Sequence, residues 1–213
     1  KESLNYNNTL KPMFSLKFSP NNSKNIRDRS RRITFNNIFS MNRIATNDSV
    51  EGGASLTYGA EFSKTNKANK EIFGAKIANI LRPEEDKNLP KNNNLGSKTS
   101  DFIGALNYSP NNNVKLNYDF SLDSNLVEKN YEILSSEFRV NNFITTFEYL
   151  NENDTTISQS YLANKTELNF KNDTSLLFRT RKNKKTRLTE FYNLMYQYSN
   201  DCLIAAIEYE KNY

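Results

Sequence analysis

No histidine and no tryptophan occur among the 213 residues. The missing histidine removes His-based triads, imidazole-ligated metals and imidazole proton shuttles. One cysteine, Cys202, cannot assemble a thiolate zinc site. Six glycines, scattered, leave no G-x-G-x-x-G or Walker pattern to cradle a phosphate. No cofactor or metal is expected, and the residue chemistry argues against an enzyme. Mean hydropathy is −0.79, and no run approaches the ~20 apolar residues of a membrane helix. That excludes a helical membrane protein but not a barrel, whose alternating strands look hydrophilic on average. Lys1 opens no charged-then-apolar segment, so no signal peptide is expected in this stretch; a mature exported chain and an internal fragment would both read this way. The net charge of +5 points to an anionic partner, nucleic acid or phosphorylated lipid, or to a general Asn and Lys bias.

What the chain does have is period-2 alternation. Tyr192, Leu194, Tyr196 and Tyr198 alternate with Asn193, Met195, Gln197 and Ser199, the pattern of a strand with one apolar face. Asn200-Asp201 closes a two-residue hairpin, and Leu203, Ala205, Ile207, Tyr209 and Tyr213 continue the apolar face beyond it. The cleanest strand upstream covers 54–63, with Ala54, Leu56, Tyr58, Ala60 and Phe62 on one face. Further strands are predicted at 14–18, weakly at Ile33 and Phe35, then at 71–81, 102–108, 114–122, 131–140, 143–150, 161–170 and 174–181. The total is about twelve antiparallel strands, an all-β chain.

Short and long connections alternate: 64–69, 82–100, 110–113, 124–129, 141–142, 151–157, 171–173, 182–187 and 200–201. Short turns at one end and longer loops at the other mark outer-membrane barrels, the short turns being periplasmic. A strand of ~10 residues at ~3.4 Å rise and ~45° tilt climbs ~24 Å, the height of a barrel's apolar band. The polar face carries Glu61, Lys76, Lys115, Asp119, Glu148, Arg179, Glu190 and Glu208, mixed in sign as a hydrated lumen tolerates. The basic run at 179–187 falls on the long-loop side. There Arg181, Lys182, Lys184, Lys185 and Arg187 are candidates for contacts with the phosphates of outer-leaflet lipid, the alternative being a solvated loop. Residues 27–32, with Arg27, Arg29, Arg31 and Arg32, fall on the opposite side by the same parity.

Three segments resemble the outer-membrane LPS-assembly family LptD, also called organic solvent tolerance protein. One is the 37–53 loop, where Arg43, Asp48, Glu51 and Gly52 match the family pattern; an ion-paired loop is the alternative to a ligand site there. The others are 78–105, with Ala78-Asn-Ile-Leu-Arg82 and Ser100-Asp-Phe-Ile-Gly-Ala105, and 179–203. The resemblance implies a transmembrane β-barrel segment, an incomplete barrel lying C-terminal to a periplasmic jellyroll and to the first strands. It implies a translocon in the cell outer membrane that inserts lipopolysaccharide into the outer leaflet. The implied partners are lipopolysaccharide, a lipoprotein plug, a periplasmic LPS-bridge protein acting through the jellyroll, and outer-membrane lipid, with no nucleic acid. Two rivals remain: a passive porin or receptor barrel, and a soluble basic β-protein binding nucleic acid. The second needs aromatics and cations on one face, whereas Tyr118 and Phe120 alternate with Lys115. A lone cysteine at a hinge of an exported chain reads as a disulfide candidate or as a small packed apolar group. Family members join a cysteine at this position to the periplasmic domain, often from two adjacent cysteines, whereas here Asp201 and Leu203 flank Cys202.

Overall fold

The computed structural model describes residues 6–29, 31–44, 50–153, 158–170 and 172–213. Eleven strands form one antiparallel sheet in chain order, with β1 and β11 at its ends, so the sheet is unclosed. They are β1 (Asn7–Ser19), β2 (Gly53–Thr65), β3 (Glu71–Leu81), β4 (Phe102–Tyr108), β5 (Val114–Leu122), β6 (Lys129–Val140), β7 (Phe143–Asn153), β8 (Ser158–Asn169), β9 (Thr174–Asn183), β10 (Thr189–Ser199) and β11 (Ile204–Asn212). The helical content among the described residues is one 3-10 turn, Asn92–Asn94. Strands β1 and β2 reach 13 residues each, well beyond the ~5–6 usual in soluble sheets.

The predicted strand at Ile33 and Phe35 does not form, which makes the count eleven. The N–H of Thr34 donates to Asn37 Oδ1 at 2.8 Å, and the N–H groups of Asn37 and Ile38 both return to the Thr34 carbonyl. This turn brings Ile33, Phe35 and Ile38 into one buried cluster, whereas a strand would have set positions 35 and 38 on opposite faces. The parity then shifts too. Residues 20–52 form one connection, β1 to β2, of the same odd-to-even class as β9 to β10. With one strand fewer, the parity count that set 27–32 opposite the 179–187 run no longer holds.

The chain divides into two compact units. In the first (Lys1–Tyr108, Tyr118–Glu132 and Glu152–Ser158), register pairs Phe14 with Tyr58, Leu16 with Leu56, and Ala75 with Leu106 on one face. That face is open: Leu16 is 83% exposed and Phe14 74%. The buried core lies on the other face. There Ile26, Ile33, Phe35, Ile38 and Ile44 from the 20–52 connection and Leu89 and Leu95 from the 82–101 connection pack with Ala78, Ile80 and Ile103. In the second unit (Ser109–Asn117, Ile133–Asn151 and Gln159–Tyr213), cross-strand rows run Phe178–Leu194–Tyr209 and Leu176–Tyr196–Ile207 on the apolar face. The alternate rows are Arg179–Asn193–Glu210 and Leu177–Met195–Glu208. In the first unit the apolar face of β1 is the exposed one, with Ser15, Lys17 and Ser19 alternating on the more covered side; in the second, Leu194 and Tyr196 are exposed on the apolar face of β10 and Arg179 on the polar face of β9.

Candidate functional site

The most highly constructed feature is a cap made by the two longest connections over β2, β3 and β4. Its centre is Glu51, 1% exposed. Arg43 approaches it side-on: Nε donates to Oε2 at 2.7 Å and Nη2 to Oε1. Arg82 forms a second ion pair with Oε1, and Lys17 Nζ a third with Oε2 at 3.1 Å. Arg43 also donates to Thr57 Oγ1 and Ser55 Oγ, both at 2.8 Å. These are the polar-face positions of β2, so β2's alternation fixes where the guanidinium docks. One carboxylate thus answers three cations. Burial lowers the pKa of Arg43 to about 10. Burial, with repulsion from Arg43, lowers that of Arg82 to about 10, against the pull of Asp86. Both remain protonated at neutral pH. With each oxygen taken by cations, Glu51 has no lone pair free for a metal or a proton transfer.

Gly52 and Gly53 close the cap's edge for different reasons. A Cβ on Gly52 would lie 2.2 Å from the carbonyl oxygen of Asn21, and its N–H donates to Ser23 Oγ at 2.8 Å. Gly53 has open space but sits at φ +73°, a backbone that glycine adopts without penalty. The two connections are sewn together by Ile26 N–H to the Asn88 carbonyl at 2.8 Å and Ile33 N–H to Asn93 Oδ1 at 2.8 Å.

A second buried hub is Asp101. It accepts from Asn94 Nδ2 at 2.6 Å, Ser121 Oγ at 2.7 Å and Asn130 Nδ2 at 2.8 Å. Burial raises its pKa above the ordinary value, the three hydrogen bonds opposing and Asp123 adding to the rise. Asn79 Nδ2 donates to the Ser100 carbonyl at 2.7 Å, and Ser100 Oγ accepts from Ile80 N–H at 3.0 Å. A third link ties Arg32 to Glu152 by an ion pair and to the Tyr131 ring at 3.8 Å.

Two of the three family-like segments therefore converge: Arg43, Glu51 and Gly52 from the first meet Arg82 from the second. Asp48 lies outside the described residues. Lys17, Asn93 and the three-cation arrangement were not singled out in the sequence. Arg82, Asn79, Ser100 and Asp101 stood inside the quoted motifs, which was the available signal.

The eight polar-face residues fall as follows. Glu61 and Lys76 are direct register partners across β2 and β3, joined at 3.1 Å. Lys115 pairs with Glu137 at 3.7 Å. Glu148 accepts from Tyr161 Oη at 2.8 Å. Glu208 accepts from Asn193 Nδ2, and Glu190 pairs with Arg181. Asp119 and Arg179 are exposed on their strands. The basic run at 179–187 is split by strand alternation. Arg181 shares the face of Arg179 and is held by Glu190, while Lys182 pairs with Leu162 in register on the other face. Lys184, Lys185 and Arg187 stand on the connection, exposed. Cys202 is an exposed free thiol inside a four-residue turn rather than after a two-residue one, with Ser199 opposite Ile204. Asn200 Oδ1 accepts from the N–H groups of Cys202 at 3.0 Å and Leu203 at 2.8 Å, which explains the longer turn.

Comparison with protein families gives a match to LptD, LPS transport system D, over residues 1–200. No curated protein matches the chain.

Proposed function

The chain belongs to the LptD family of outer-membrane LPS transport components, and from that premise we propose that its strands form part of a transmembrane barrel wall that delivers LPS to the outer leaflet. LPS is the transported substrate of the family, which is a transport family rather than an enzyme family. The observation that carries the finer reading is the inverted sheet. Leu16, Phe18 and Phe14, at 83%, 78% and 74% exposure, lie on one face of β1, and the buried Ser55 and Thr57 of its partner β2 on the other. A water-soluble sheet buries its apolar face; only lipid rewards this arrangement. The mixed-sign face with Glu61, Lys76, Lys115, Asp119, Glu148, Arg179, Glu190 and Glu208 then lines a hydrated lumen, where the lipoprotein plug and LPS sugars are received.

Connection parity supports an external position for the cap and for Lys184, Lys185 and Arg187, which there meet LPS phosphates. The short turns, including 200–203, are periplasmic on the same reading. Cys202 then bridges to a cysteine outside these residues in the oxidising periplasm, in the jellyroll that also meets the LPS-bridge protein.

The test places a photoreactive amino acid at Lys165, on the polar face, or at Leu194, on the apolar face, in the full-length protein. Newly made LPS should be trapped at 165 only while export runs, and bulk membrane lipid at 194. Bulk lipid trapped at both positions, or LPS at neither, would overturn the reading.

A further inference from the structure

Across β8 to β11 the apolar face carries two charges, and both are lysines at one end of the strands. Alternation puts Leu176, Phe178, Thr180 and Lys182 of β9 on that face, and Lys182 stands opposite Leu162 of β8 and Thr189 of β10. Lys211 of β11 stands opposite Tyr192 of β10, which in turn faces Thr180. Both lysines are exposed. Two strand spacings across and two residues along, their Cα atoms lie ~12 Å apart. Two lysine side chains can reach one headgroup over that span. Aromatic rings frame them. The Tyr192 ring lies edge-on to Tyr213 at 5.9 Å and stacks with Phe178 at 6.4 Å. Lys211 Nζ lies 4.6 Å from the Tyr213 centroid, and Tyr192 Oη is 3.5 Å from Thr189 Oγ1, toward the β9–β10 connection. Among the described residues no carboxylate shares this face of β8 to β11. Glu167, Glu208 and Glu210 stand in register with Leu177, Met195 and Asn193 on the opposite one. Glu190 is taken by Arg181 and Asn183.

We propose that Lys182 and Lys211 form a site for the phosphate of an acyl lipid, on the apolar face at the long-connection end of β9 to β11. The proposal rests on the membrane reading above. Two cations with no acidic neighbour on their face call for an anion from outside the chain. Beside them the rows Phe178–Leu194–Tyr209 and Leu176–Tyr196–Ile207 are continuous in register within one unit. These rows give acyl chains an apolar bed next to the charges. An amphiphile that joins an anionic head to apolar chains meets both halves at once. Depth agrees with this occupant: lysine stems lie along apolar surface while the ammonium reaches the membrane interface, where tyrosines also collect. At the other end of the same face Thr174, Tyr198 and Ala205 meet in register with no charge among them. The site is separate from Arg179 and Arg181 on the polar face and from Lys184, Lys185 and Arg187 on the connection. It therefore holds a lipid resident in the leaflet rather than cargo in the lumen.

The test counts lipid retained by the full-length protein in detergent, by native mass spectrometry, with phosphatidylglycerol or zwitterionic phosphatidylcholine supplied. Wild type should prefer phosphatidylglycerol. Lys182→Gln or Lys211→Gln should each lower that preference about fivefold, and the two together about twenty-five-fold, the attraction of one interfacial lysine apiece. Lys182→Arg with Lys211→Arg should keep it, and Lys67→Gln, in an exposed turn, should leave it unchanged. An undiminished preference in the double glutamine variant, or an equal loss from Lys67→Gln, would overturn the site. Equal retention of both lipids by wild type would overturn it and leave the membrane reading intact. Retention of neither lipid would overturn the site, and with no lipid trapped at Leu194 the membrane reading falls with it. Loss of the preference on adding inorganic phosphate at matched ionic strength would assign the lysines to free phosphate and overturn the lipid. A photoreactive amino acid at Tyr209 in cells adds a second readout. Lipid adducts support the site, and a protein adduct in their place assigns the face to a protein partner and overturns it.

Discussion

Replacing Glu51 with glutamine removes one negative charge and almost no volume. Arg43, Arg82 and Lys17 would then stand together, with side-chain exposures of 2%, 2% and 9%. Breaking a buried pair by removing one partner costs about 3–5 kcal/mol, because the remaining charge is left uncompensated. Here three cations lose their shared anion, and Arg43 and Arg82 already repel each other, so the upper part of that range applies. The loss should be local, since the cap is held by its own core and by loop-to-loop hydrogen bonds, and such units open separately from a sheet. The assay is amide hydrogen exchange on the full-length protein in detergent. Peptides covering 20–44 and 82–101 should exchange about a hundred- to a few thousandfold faster, the factor that 3–5 kcal/mol represents. Peptides from β9 and β10 should be unchanged. Unaltered exchange in the cap would refute the keystone role of Glu51. Equal acceleration in β9 and β10 would refute the cap's independence.

Leu194→Arg on the apolar face should cost about 2–4 kcal/mol near mid-membrane, measured by reversible unfolding in detergent or lipid. Lys115→Gln on the opposite face, losing a half-exposed pair at 3.7 Å, should cost about 1 kcal/mol or less; equal costs would reject the inside-out assignment. Gly52→Ala should loosen the cap by about 1–3 kcal/mol through its clash with Asn21, and Gly53→Ala by about 1 kcal/mol through its φ alone, both read by exchange over 20–44. Asp101 has a raised folded pKa, so the folded state holds its proton more tightly. Its burial penalty is present above that pKa and fades as pH falls through it towards 3.8. Asp101→Asn should therefore abolish an acid-side gain in protection of 82–101, seen by comparing wild type and variant at about pH 4 and 7.

Alternation alone determined eleven strands and their two faces and, from β2 onward, the order of short and long connections. It did so because a side-chain period of two is local, set by the backbone and unaffected by which strand lies next door. Tyr192, Leu194, Tyr196 and Tyr198 share one face of β10; the last three meet Tyr209, Ile207 and Ala205 as their spacing predicts, and Tyr192 meets Lys211. The cap was not legible. Ile33 and Phe35 carry a strand's spacing, and only packing against Ile80 and Leu95 turns that segment into a buried loop. Nor could the sequence bring Lys17, Arg43 and Arg82, drawn from three separate segments, onto Glu51. Each is an ordinary charged residue until burial leaves it one anion to share. The basic run at 179–187 reads as one patch until β9's register sends Arg181 and Lys182 to opposite faces. Chain order cannot fix such features, because they depend on which distant groups exclude water together.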